Sequence, residues 1–455
     1  MTRKTLSCSW NRLGLWMSAA AATVCLTTLT AATAPQQQPP TFTATVDLVA
    51  VDVQVVDKDG FPIPSLGPED FEVSINGRKR RVASVDFIQS TTVDGMTPAR
   101  PVSSGPMATN LWPSSDVAGT GRTYVLAFDT ESFSITESRD VVAAARGFIR
   151  RLQPEDAVGL YTFPVGPRRE PTTDHSDIAR AVDTIVGRTQ SLPGEHNLSP
   201  SEIIDITAEY SRASSQNVGR GGGGLASTVP SGGTQNTAGL IPTDGSALAR
   251  VQLRECGTIE SACAEMIYTE ANTMAFYLEG RATAGLNGLR SLIQLLHEQP
   301  GRKTVVLFSA GIPVTDRPGG RPEVGELARL LGQDAAATNT SIYTLHIDNR
   351  EFRSMAAESR RLPAGPATRS RDMAVTGRLL EEFSGASGGA LIRVLLGGGE
   401  FALDRVFRET SSHYLLGVEP ERSDRDGKLR ELRVRVDQPN VTVRSRSWVV
   451  VPPAS

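Results

Sequence analysis

Two kinds of hydrophobic pattern divide the chain. Val49, Val51, Val53 and Val55 face one way, and Asp52 and Gln54 the other. That period of two predicts a half-buried strand. Asp57-Lys58-Asp59-Gly60 follows as a turn, Phe71, Val73 and Ile75 alternate again, and Asn76-Gly77 is a strong hairpin signal. With Val82, Val85 and Phe87 these segments make residues 41–90 a small antiparallel β module. A stretch rich in Pro, Ser, Gly and Thr, residues 91–121, reads as a linker. From residue 122 the pattern changes to short continuous apolar runs, TYVLAF (123–128), AVGLYTF (157–163), TVVLFS (304–309), SIYTLH (341–346), ALIRV (390–394) and YLLGV (414–418). Helical periodicity lies between them, as at Val141, Ala144, Ala145, Phe148 and Leu152, and again at 284–298, 323–337 and 373–384. Such alternation predicts a mostly parallel, doubly wound α/β sheet over residues 122–420, covered by helices on both faces. A partly helical insertion at 188–280 interrupts it, with Gly221 to Gly224 in a row and helical stretches at 201–211 and 246–280. The tail, 421–455, returns to alternation at Leu432, Val434 and Val436 and at Val441 and Val443. Two strands are too few to stand alone, so they are expected to join residues 41–90 in one sandwich-like module built from both chain ends.

Composition narrows the setting. Charged residues are 21%, hydrophobic residues 39%, and the net charge is -3, so nothing global points to nucleic acid. Residues 1–34 differ from the rest: Arg3, Lys4 and Arg12 precede an uncharged apolar run and the small residues Ala32-Thr33-Ala34. That is the pattern of a secretory signal peptide, with an uncleaved membrane anchor as the rival reading. After cleavage near residue 35, a secreted or periplasmic product with no membrane insertion is expected. Cys256 and Cys263 would remain. An even pair in an exported chain suggests a disulfide. On one continuous helix they would stand about 10.5 Å apart, too far to bridge. A break at Gly257 would allow the bond; two separate buried thiols are the alternative.

Candidate chemistry concentrates in LAFDTESFSITESRD (126–140). Asp129 stands where a strand should end, and ligand sites in parallel sheets lie at such carboxyl ends. Thr130, Glu131, Ser132 and Ser134 add oxygens of the kind hard divalent cations take. Together with AVGLYTF, the helix after Thr283 and PGRKTVVLFSAG (300–311), this opening resembles the von Willebrand factor type A (VWFA) fold. The flanks VDVQVVDKDGFPIPSLGPEDFEV (51–73) and HYLLGVEP…DGKLRELRVRV (413–436) are more closely similar to its acidobacterial relatives. The resemblance implies a protein-binding rim made by Asp129, Glu131, Ser132, Ser134 and Thr283. In that family a metal-ion-dependent adhesion site takes Asp-x-Ser-x-Ser, a Thr from a second loop and an Asp from a third. Asp129 matches the first position, and Thr283, heading a helix, would match the Thr. Glu131 and Phe133 occupy the Ser positions, Ser132 and Ser134 are out of step, and Ala310 replaces the third-loop Asp. The implied site is therefore degenerate, with Asp129 and Thr283 its remaining metal-ligand candidates and at most weak Mg²⁺ or Ca²⁺ binding. For Asp129 a loop or helix-capping role is the competing reading.

The other candidates are weaker. The five His show no metal-ligand spacing. Asp174 is better read as a helix cap than as part of a triad, and Gly397 to Gly399 lack the Lys of a phosphate loop. The expectation is an exported binding module for an unidentified protein partner, with no nucleic acid and no catalytic residues. The alternatives are a structural envelope component without its own ligand, or a hydrolase using rim carboxylates.

Overall fold

The computed structural model describes residues 48–89, 121–189, 194–220, 245–299, 301–348, 365–395 and 399–453. The signal-like segment 1–34, nearly all of the linker and the four-glycine run lie outside these residues. The central sheet contains β5 (Thr123–Asp129), β6 (Ala157–Phe163), β7 (Arg168–Thr172), β8 (Lys303–Ser309), β9 (Thr340–Asp348) and β10 (Ala390–Leu395). Its order is β10-β9-β8-β5-β6-β7, parallel except for β7 at the edge. Read along the chain, the strands run outward in one direction from β5 and then in the other from β8. The gap between β5 and β8 is therefore the topological switch point, where open α/β sheets hold their ligands.

Successive residues of β5 serve two cores. Tyr124, Leu126 and Phe128 pack with Phe148 of α1 (Ile135–Ile149), Ile178 of α2 (His175–Val182) and Leu403 of α8 (Gly399–Glu409). On the opposite face Val125 and Ala127 pack with Leu289 of α5 (Ser261–Leu295), Leu331 of α6 (Gly325–Ala337) and Phe383 of α7 (Pro366–Ala386). Fully burying each such large side chain contributes about 1.5–3 kcal/mol, and the period of two is what lets one strand supply both faces. Gly288 of α5 is required by this packing: a Cβ there would stand 2.8 Å from Cβ of Phe163.

The antiparallel part is a sandwich of two four-stranded sheets. One has the order β13-β1-β11-β4, from Thr442–Ser445, Val49–Val56, Ser412–Val418 and Val82–Gln89. The other is β14-β12-β2-β3, from Trp448–Val450, Leu429–Val436, Phe71–Ile75 and Arg78–Arg80. Val51, Val53, Val73, Ile75, Leu416 and Val434 fill the space between them. β12 pairs with β2, Val434 opposite Val73, and β13 pairs with β1, so strands from the tail complete both sheets.

The structure corrects several sequence readings. YLLGV does not continue the α/β series; β11 lies between β1 and β4 in the sandwich, and the α/β part ends with α8 at Glu409. A buried central strand of a sandwich is as continuously apolar as a parallel one, so hydrophobicity alone assigned it to the wrong sheet. The helices anticipated at 246–280 and 284–298 are α4 (Ala247–Glu255) and the 35-residue α5, which passes from the insertion into the α/β part without a break. Thr283 consequently lies inside α5 and does not head a helix. The helix at 201–211 is the front of a longer α3 (Pro200–Arg220). β7 escaped the hydrophobic pattern because RREPT is polar, and its Pro171 suits only an edge. Gly257, at φ +75°, separates α4 from α5, and Cys256 and Cys263 form a disulfide with their Cα atoms 6.7 Å apart. No helix among the described residues is long and apolar enough to cross a membrane.

Candidate functional site at the switch point

Asp129 ends β5 and Ser309 ends β8, each one residue beyond the last pair across the switch point, Phe128 opposite Phe308. The Ser309 hydroxyl donates to Asp129 Oδ2 at 3.0 Å. The chain then turns sharply. The Ser132 hydroxyl donates to the Asp129 carbonyl at 2.8 Å and accepts from the Ala310 amide at 2.9 Å, tying the loop after β5 to the loop after β8. Phe133, which stands where the resemblance would place a ligand, points into the α1-side core and is fully buried. Ser134 is the N-cap of α1: its hydroxyl accepts from the Glu137 amide, and the Glu137 carboxylate accepts from the Ser134 amide. The helix cap is thus Ser134 rather than Asp129.

Sequence reasoning missed two contributors. The first is the segment after α2, expected to begin a loose insertion. Its Arg188 amide donates to the Thr130 carbonyl at 2.6 Å, the Thr189 amide to Phe133 at 3.0 Å, and the Gly187 amide to the Ser138 hydroxyl at 2.6 Å. This strap leaves no room for a side chain at Gly187, where a Cβ would lie 2.4 Å from the Phe133 carbonyl. The second is Arg281 of α5. Its guanidinium donates to the Glu131 carbonyl, its Nε lies 3.9 Å from Glu131 Oε2, and it covers the Tyr277 ring at 5.8 Å. It is separated from Glu131 by 150 residues, so no local spacing could have placed it there. Around this loop three aliphatic side chains are solvent-exposed: Ile135 (71%), Val165 (57%) and Val186 (48%).

The oxygens are therefore committed to one another. Ser132 and Ser134 hold the loop and the helix, Thr130 donates to the Phe163 carbonyl, Arg281 brings a fixed cation, and Thr283 is inside a helix. Among the described residues no group of three or more His, Cys, Asp or Glu could hold a metal ion. As arranged, these residues do not fit the oxygen shell that a hard divalent cation needs.

Burial pushes the Asp129 carboxyl up to about 6, against the opposing pull of the Ser309 hydroxyl and Arg281. A carboxyl whose folded value is raised contributes fully below its unfolded value, and that contribution is lost as pH rises through the folded one. A two-unit elevation corresponds to ~3 kcal/mol at most. Asp129→Asn keeps an oxygen acceptor for Ser309 and cannot ionise. It is expected to match wild type near pH 4 and to exceed it by ~1–3 kcal/mol above about pH 7. Chemical denaturation of both proteins across this range measures the difference. A difference that stays constant, or an Asn variant weaker at the higher pH, refutes the assignment.

No protein-family model matches the chain, and no curated protein matches it by sequence. Among solved structures it is similar to the VWA domain of SpRpn10, at 10% identity and a TM-score of 0.25, covering 64% of this chain and 96% of that one. It is also similar to the human COPII-coat protein Sec24c, at 8% identity and a TM-score of 0.25, covering 73% of this chain and 44% of that one.

Proposed function

We propose that the chain is an exported von Willebrand factor A-like module that binds a protein partner at the rim around Asp129, without catalysis and without a tightly held metal. The observation that carries this reading is the rim itself. At the switch point, two loops are locked together by Ser132 and Ser309, and exposed Ile135, Val165 and Val186 surround them beside the cation of Arg281. Exposed aliphatic side chains next to fixed polar and charged groups are what protein-docking patches present to solvent. Ser309, its neighbour His346 on β9 and Asp129 are all buried, which argues against a nucleophile reachable by substrate. Export rests on residues 1–34, and a mature product is expected to begin near residue 35.

Site-specific photo-crosslinking tests the rim. A benzoylphenylalanine at Ile135 is expected to give one discrete adduct in cells that export the protein. Val186→Asp should weaken that adduct about fivefold, as for loss of a contact worth ~1 kcal/mol. The same probe at Arg433, on the outer face of β12, should give none. Equal adducts from both positions would favour a structural envelope component, and no adduct from Ile135 would end the proposal.

A further inference from the structure

The joint between the two parts of the molecule is polar and buried. Tyr343 of β9 donates to Gln54 Oε1 at 2.6 Å. Arg444 of β13 donates to both carboxylate oxygens of Glu409, at 2.8 and 3.2 Å, and Arg405 takes the same carboxylate at 2.8 Å. Arg446 donates to the Ala50 carbonyl at 2.7 Å and the Ala336 carbonyl at 3.4 Å, joining the sandwich to α6. His413 Nε2 lies 3.7 Å from Asp52 Oδ1. Between these groups is a cavity lined by Asp52, Arg302, Asn339, Ser341, Arg444 and Arg446. It leaves about 10 Å³ for the centre of a water-sized particle, which is room for one water or one small ion.

The charges around that space do not balance. Glu409 is already shared by Arg405 and Arg444. Among the described residues Asp52 alone remains for Arg302 and Arg446, and burial, with Arg302 nearby, holds His413 in its neutral form. Of the three guanidiniums that line the space, Arg302, Arg444 and Arg446, one is left in excess over Asp52 and Glu409. Arg446 is 7% exposed, and its Nε has no hydrogen-bond partner among the described residues. A buried unpaired charge and an unsatisfied donor are each strongly unfavourable. A water in the cavity would satisfy the donor and leave the charge. A carboxylate or phosphate is too large for a single-centre space.

We propose that this cavity binds one monovalent anion of chloride size, held by Arg446 and Arg302, at the joint between the sandwich and the α/β part. The inference is independent of the rim and its partner. Burial, with Arg302 nearby, lowers the Arg446 pKa against the pull of Asp52.

The test uses the full mature chain in mixtures of sodium chloride and sodium gluconate at a constant ionic strength of about 200 mM, so that general screening is unchanged. The Tm is expected to rise with chloride and saturate, by about 2–4 °C, with bromide acting alike. Arg446→Met removes the excess charge. It also loses the bonds to Ala50 and Ala336, so its Tm falls; the readout is its chloride dependence, which should be flat. Crystals grown in bromide supply a measurement that needs no variant: an anomalous peak within hydrogen-bond reach of Arg446 Nε supports the site. A flat response in wild type, an equal response in Arg446→Met, or a cavity holding water without bromide overturns it.

Discussion

Asp424→Ala is expected to destabilise the sandwich by about 3–5 kcal/mol, the usual consequence of leaving a buried charge without its partner. Arg80 donates to Asp424 through Nε at 2.7 Å and Nη2 at 3.0 Å, and both side chains are 2% exposed. Glu421, 3.0 Å from Arg80 Nη1, is 54% exposed and compensates little. Burial alone would raise the Asp424 pKa, but the Arg80 guanidinium outweighs it and holds the carboxyl below its ordinary value. Its stabilisation is therefore present above the unfolded value, near 4, and lost as pH falls through the folded one. Trp448 lies in β14, separated from β3 by two strands of the same sheet, and its fluorescence reports denaturant unfolding of this sheet. The apolar pair Arg80→Met with Asp424→Leu should recover most of the loss, because it removes the charge and its partner together. A loss below ~1 kcal/mol for Asp424→Ala would contradict the geometry.

The second large effect is expected from removing the tail. Truncation after residue 420 takes β12, β13 and β14. One sheet is then reduced to the β2–β3 hairpin, which is marginal by itself. The shared core loses Leu432, Val434, Val449 and Val451, so Val73 and Ile75 become exposed. Trypsin should cut at Arg78, Lys79 and Arg80 within residues 48–89, while a fragment containing β5 to α8 resists longer. Full protection of residues 48–89 in the truncated chain would mean that the tail is dispensable for this fold.

How far the sequence could be read depends on whether a feature is local. The alternation of Val49 to Val55, the Asn76-Gly77 turn and the apolar runs of β5, β6, β8, β9 and β10 each sit within one element, and each element formed where its pattern placed it. β11 shows the limit. Its hydrophobicity predicts a buried strand but carries no address, and the sheet it joined was decided by pairing with β1 and β4. Asp129 was legible because a carboxylate at a strand end is a local signal. Arg281 and the Gly187–Thr189 strap were not, since their role exists only after distant segments meet. Thr283 failed for a related reason. Gly280 marks the point where the insertion is expected to end, yet it does not break the helix, and α5 continues straight through it.

The α/β part is spliced into the sandwich between β4 and β11, and the first and last described strands both belong to the sandwich. If the protein is tethered through its two ends, tension runs from β1 into β13 and β14 through the sandwich ladders and never crosses the parallel sheet. The sandwich would act as a mechanical shunt. The rim around Asp129 would keep its shape under load until the sandwich gave way, and a single-molecule pulling experiment would record the sandwich rupturing first.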